Sequence, residues 1–150
     1  MPNTVTETLA EIERRLAAWE EMDKAATKGP WVYDERGGCC AVYPASRRED
    51  TPGLHWDDER NIAYSNSGAL FNGNYWNMDD GPRCNLRMIA SSRALVTAAL
   101  PYFREQWTSL KAEHDARRDI MGDEWTEQDD EAFEFRATAL LAAIPDPKEQ

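Results

Sequence analysis

An α+β fold, running N-terminal helix, small antiparallel β-meander of three to five strands, long helix and C-terminal helix, is predicted by three observations. Apolar side chains recur at spacings of three and four near the N-terminus, across the long segment after residue 80, and again after residue 126. Short aromatic and β-branched runs broken by glycine-bearing turns fill the middle. No internal repeat or low-complexity linker divides the 150 residues, so one domain over 1–150 is expected, with the later helices packed on one side of the sheet.

The first helix is predicted near 5 to 27. Val5, Leu9, Ile12, Leu16 and Trp19 form one stripe, with Glu7, Glu11, Glu13, Arg14, Arg15, Glu20 and Glu21 mostly elsewhere on the wheel. Thr4-x-x-Glu7 has the capping-box pattern, and Lys28-Gly29-Pro30 ends the helix, because Gly takes the left-handed cap and Pro cannot continue. The narrow spacing also fits a dimer seam, although packing on the rest of the same chain is the commoner outcome.

Trp31-Val32-Tyr33 and Cys39 to Tyr43 read as a hairpin around residues 34–38, where Gly37-Gly38 supplies positive φ. Residues 44–60 are polar and punctuated by Pro44, Pro52 and Gly53, which predicts a surface loop. Asn61 to Tyr64 and Ala69-Leu70-Phe71 are strand candidates, and Asn72-Gly73 turns the chain into Asn74-Tyr75-Trp76, a second hairpin. Asp79-Asp80-Gly81-Pro82 then opens a long helix carrying Met88, Ile89, Leu95, Val96, Leu100, Phe103, Trp107 and Leu110. Pro101 is expected to kink or divide it, and Gly122 to stop it. A last helix begins after Thr126, with acids at its positive end and Phe133, Ala137, Leu140, Leu141 and Ile144 turned inward.

Lys and Arg number 17 against 28 Asp and Glu, a net charge of -11, which argues against nucleic acid or an anionic membrane as partner. Three cysteines, two of them adjacent, and an N-terminus without a basic or apolar leader fit a reduced, cytoplasmic setting, and no apolar run is long enough to span a bilayer. The catalytic inventory is thin. His55 and His114 have no metal-recruiting spacing, and no nucleotide-cradling or nucleophile-elbow motif occurs. Asp57-Asp58-Glu59 and Asp79-Asp80 match no calcium loop. No catalytic residue, metal ligand or cofactor is assigned.

Charge is distributed unevenly. From Gly81 through Arg104 there is no acidic residue, yet four arginines: Arg83, Arg87, Arg93 and Arg104. Arg83 and Arg87 stand one turn apart near a helix start, chemically suited to a phosphate or carboxylate. Pairing with Asp and Glu from the last helix or the loop is the competing reading, and the one favoured for these arginines taken alone. Trp31, Tyr33, Tyr75 and Trp76 offer faces for stacking a base, although a core role is the favoured reading for each taken singly. The candidate ligand-binding set is therefore Arg83, Arg87, Arg93, Trp31, Tyr33, Tyr75 and Trp76.

Two stretches carry a resemblance: Ala25-Ala26-Thr27-Lys28-Gly29-Pro30-Trp31, and Asn85-Leu86-Arg87-Met88-Ile89-Ala90-Ser91-Ser92-Arg93. Together they resemble small phage and prophage accessory proteins, including the Ead-like proteins of lambdoid phages. Thr27, Gly29, Pro30 and Trp31 match the first motif of that group, and Ile89, Ala90 and Arg93 the second; Asn85 and Met88 stand where Asp and Phe are more usual. The likeness covers roughly 60 per cent of the chain and ends near Leu110. It implies a dispensable phage gene acting in the host cytoplasm to modulate the host or neutralise its defences.

The resulting expectation is a non-enzymatic accessory protein that sequesters an anionic nucleotide-type signal. An alternative is contact inhibition of a basic host effector by the acidic run Asp123, Glu124, Glu127, Asp129, Asp130, Glu131 and Glu134. A weaker one is a metal-dependent nucleotide hydrolase. A homo-oligomer is favoured, because the helices carry more apolar stripe than a small sheet covers.

Overall fold

The computed structural model describes residues 4–36, 39–46, 62–65 and 80–149. The elements are α1 (Val5–Ala25), β1 (Trp31–Arg36), β2 (Cys39–Pro44), β3 (Ala63–Ser65), α2 (Asp80–Met121) and α3 (Glu127–Ala143), with single 3-10 turns at Gly122–Glu124 and Pro147–Glu149. The fold is α+β. Packing gathers these elements into two units: one from α1, the second half of α2 and α3, the other from residues Ala26–Thr97.

In the helical unit, Val5, Leu9, Ile12 and Leu16 are all buried, as the stripe requires, together with Leu110, Phe133, Ala137 and Ile144. Trp19, Leu100, Phe103, Trp107, Trp125, Leu140 and Leu141 close around that core. Indole N–H groups find backbone acceptors: the part-buried Trp107 donates to the Leu9 carbonyl at 3.1 Å, and Trp19 to that of Pro145 at 2.9 Å. Charged side chains tie the outside. Arg104 lies between Glu13 and Glu20 of α1, and Arg14 between Glu11 and Asp146.

Helix ends follow local chemistry. The Glu7 amide donates to Thr4 Oγ1 at 3.2 Å, one half of the box expected there. At α3 the Thr126 amide donates to Asp129 Oδ2 at 2.9 Å, reciprocating across the first turn. Met121 is the last residue of α2, and Gly122 takes φ +49°, the left-handed conformation in which a Cβ is strained. Pro101 does not divide α2, which stays helical from Asp80 to Met121. A proline removes one backbone hydrogen bond, and Leu100 and Phe103 beside it pack on the helical core, whose burial offsets that loss.

The other unit contains an antiparallel sheet in the order β1-β2-β3. Trp31 pairs with Pro44, Tyr33 with Val42 and Asp34 with Ala41, so β1 runs three residues beyond the expected Tyr33. Paired residues share a face. Trp31, Tyr33, Val42 and Ala63 therefore lie on one side, where Leu86 and Ala90 of α2 cover them. Val32, Asp34, Ala41 and Tyr43 lie on the other. The expected second hairpin and almost all of the 44–60 loop fall outside the described residues.

Candidate functional site

Residues from the two stretches 25–31 and 85–93 meet inside the sheet-bearing unit. Trp31 opens β1, and its indole N–H reaches back to the Thr27 carbonyl at 2.9 Å, fixing the ring as the chain leaves the first motif. The Arg93 guanidinium lies 5.9 Å from the centre of that ring, a cation–π distance. Arg93 is buried, and its stem runs so close to Gly29 that a Cβ there would stand 2.9 Å from Arg93 Cγ. Ala90, one turn earlier, packs with Val42 and Leu86 against Trp31 and Tyr33. Gly29, Trp31, Ala90 and Arg93 thus form a small latch between strand and helix.

Beside the latch is a cleft of about 750 Å³. Its strand wall is Trp31, Val32, Tyr33 and Asp34 with Tyr43, and its helix wall is Arg87, Ala90, Ser91, Ala94 and Leu95. The spacing of the second set, one face of α2 over two turns, explains why small residues at 90, 91 and 94 leave room. Arg87 Cζ lies 5.1 Å from the centre of the Tyr33 ring, so the cleft brings a cation and an aromatic face together. The Asp34 carboxylate accepts a hydrogen bond from the buried Tyr43 hydroxyl at 3.2 Å.

Of the seven candidate ligand-binding residues, Trp31, Tyr33 and Arg87 line this cleft. Arg93 is placed behind it, in the latch. Arg83 falls on the first turns of α2, and its side chain is outside the described residues, as are Tyr75 and Trp76. Asp34, Tyr43 and Ser91 were not foreseen as site residues. Asp34 was assigned to a turn, and only the longer strand puts it in register with Ala41 and diagonally across from Tyr43. The alternation Val32, Asp34 on the Tyr43 face was the available signal.

Competing roles are visible elsewhere. Arg104 is engaged with acids, but from α1 instead of the last helix or the loop. Three acids of the expected contact face serve the fold: Asp129 at the cap, Asp130 accepting from Trp125 Nε1 at 3.0 Å, and Glu134 from Thr8 Oγ1 at 3.1 Å. His114 is buried, with Nδ1 3.1 Å from Asp115 Oδ1 and its ring edge-on to Trp125 and Phe133, an aromatic core position. Among the described residues, no group of three or more His, Cys, Asp or Glu is arranged to hold a metal ion, and no helix is long and apolar enough to cross a membrane.

No family model matches this chain, and no curated protein or solved structure matches it.

Proposed function

We propose that this is a phage accessory protein that counters a host defence by sequestering an anionic nucleotide-type signal, without turnover, in the cleft between β1 and α2. The observation that carries the reading is the meeting of Arg87, Tyr33 and Trp31 in one concavity. A guanidinium presents planar donors to a phosphate, and aromatic faces stack a base. The cleft volume of about 750 Å³ lies within the usual range for small-molecule sites, and the Ead-like motifs supply the phage context.

Thermal unfolding against cyclic dinucleotides, cyclic trinucleotides and ADP-ribose derivatives, with each ligand re-examined by chromatography, tests this. Saturation at a hundredfold above the dissociation constant adds about 2.7 kcal/mol, a rise on the order of 5 to 10 °C for a chain of this size. Intact ligand and loss of the shift in Arg87→Ala are expected. Consumption of the ligand replaces sequestration with catalysis. A flat panel overturns the cleft reading and moves attention to the exposed acids Asp123, Glu124, Glu127 and Glu131, whose capture of a basic host protein would weaken steeply with salt.

A further inference from the structure

A second concavity, of about 320 Å³, belongs wholly to the helical unit and shares no residue with the cleft between β1 and α2. Leu9 and Ala10 of α1 and Trp107 of α2 give it an apolar wall, and the buried His114 lines it as well. Glu13, Lys111 and Asp115 are the charged residues around it. Its volume stands at the lower end of the range for small-molecule sites. The donors here are already engaged: Trp107 Nε1 with the Leu9 carbonyl, and Lys111 Nζ with Asp115 Oδ2. Asp115 Oδ1 lies 3.1 Å from His114 Nδ1, and because a carboxylate only accepts, that nitrogen carries the proton. In the neutral ring Nε2 then keeps a lone pair, and it has no hydrogen-bond partner. Glu13 Oε2 accepts from Arg104, which leaves Oε1 without a partner among the described residues on a side chain that is 43% exposed. Glu13 and His114 thus offer acceptors and no free donor.

The net charge of the unit has the matching sign. Residues 1–25 and 98–150 hold nine Lys and Arg against nineteen Asp and Glu, a net charge of -10, whereas residues 26–97 hold eight against nine. Such a field concentrates cations near the helical unit and repels anions from it. We infer that this crevice is a second binding site, independent of the nucleotide reading, and that it takes a small organic cation. The apolar body of the ligand covers Leu9, Ala10 and Trp107, and its ammonium group donates to Glu13 Oε1 at the mouth. A bare inorganic cation would leave the apolar wall wet, and an anion of the same shape would meet a carboxylate in place of a donor.

Protein-detected NMR with tryptamine, indole-3-propionate and 3-ethylindole holds the apolar body constant and changes the charge of its side chain. Tryptamine should shift the Leu9 and Ala10 amides and the Trp107 indole N–H to saturation, with an affinity of about millimolar or tighter for a ligand of this size. Indole-3-propionate should bind at least about tenfold more weakly. Glu13→Gln keeps an acceptor for Arg104, and it should weaken tryptamine about threefold or more while leaving 3-ethylindole unchanged. Ala10→Trp, at an exposed position, should fill the crevice and abolish binding of both. Thermal unfolding of the two variants verifies that the fold survives. Arg87→Ala should leave tryptamine binding as it is, so the fate of this site is read apart from that of the cleft. Equal binding of tryptamine and indole-3-propionate, or wild-type affinity for tryptamine in Glu13→Gln, overturns the assignment of a cation. Absence of any shift overturns the site itself. Shifts that never saturate, or that persist in Ala10→Trp, mean diffuse attraction to an acidic surface and overturn it equally.

Discussion

The helical unit and the sheet-bearing unit are held together by different kinds of contact. In the first, four stripe residues of α1, with Leu110, Phe133, Ala137 and Ile144, are removed from water, and indole N–H groups, ion pairs and caps complete the polar accounting. In the second, the buried apolar cluster is Val42, Leu86 and Ala90, and around it stand half-buried Trp31 and Tyr33, each with an arginine against its ring. A core of aliphatic side chains stabilises by excluding everything else. Aromatic faces and guanidinium groups that are only partly covered stabilise weakly and keep their chemistry available. The sheet-bearing unit is therefore the one in which the proposed nucleotide-type ligand would meet Arg87 and Tyr33.

The largest expected effect sharpens the contrast from the helical side. Ile12 has 0% exposure in the centre of the stripe, and Ile12→Ala should destabilise by about 2–5 kcal/mol, read from urea unfolding. A cost below about 1 kcal/mol would mean that the stripe is not the principal core of that unit.

Next comes the latch. Gly29→Ala drives a Cβ to 2.9 Å from the middle of a buried side chain, which should cost about 1–3 kcal/mol as overpacking. Combined with Arg93→Ala, which removes the atom struck, the same substitution should be far cheaper, and a double-mutant cycle measures the coupling. Additive effects would break the claim that the two motifs meet through these residues.

The smallest effect concerns acid. Hydrogen bonding from Arg14 foremost, supported by Arg15 and opposed by burial, lowers the Glu11 carboxyl from 4.5 to about 2. A carboxyl with a depressed folded pKa contributes stability fully above its unfolded value, and that contribution is lost as pH falls from about 4.5 towards 2. Glu20, Glu113, Asp115, Asp129 and Asp146 are lowered as well, each foremost by a hydrogen bond from a partner such as Arg104 at Glu20 or Arg136 at Glu113. All belong to the helical unit, so acid should loosen that unit, and Glu11→Gln should flatten the acid limb of stability measured by circular dichroism.

Much of this fold is legible from one strand of text. The α1 stripe, the Gly122 stop and the start of α3 after Thr126 depend on interactions within a few residues, which sequence spacing records directly. The arginines of the basic segment are a different matter, because their fates depend on what lies opposite. Arg104 pairs with α1, Arg93 fills the latch and Arg87 lines the cleft, although all three look alike in the sequence. Asp34 makes the same point: the sequence places it in a turn, and three more residues of strand put it in register with Ala41, its carboxylate accepting from the Tyr43 hydroxyl.

By itself, then, the sequence determined the α+β order, the helical core and the chemical character of the segment from Gly81 to Arg104, since periodicity and charge are properties of neighbours along the chain. Tertiary structure decided that Gly29 and Arg93, far apart in sequence, touch; that Trp31 and Tyr33 share a face with Val42; and that one arginine faces a concavity while another closes on acids. Strand register and helix rotation set those choices. Shifting either by a single residue moves every side chain to a different face, and nothing local in the chain encodes the outcome.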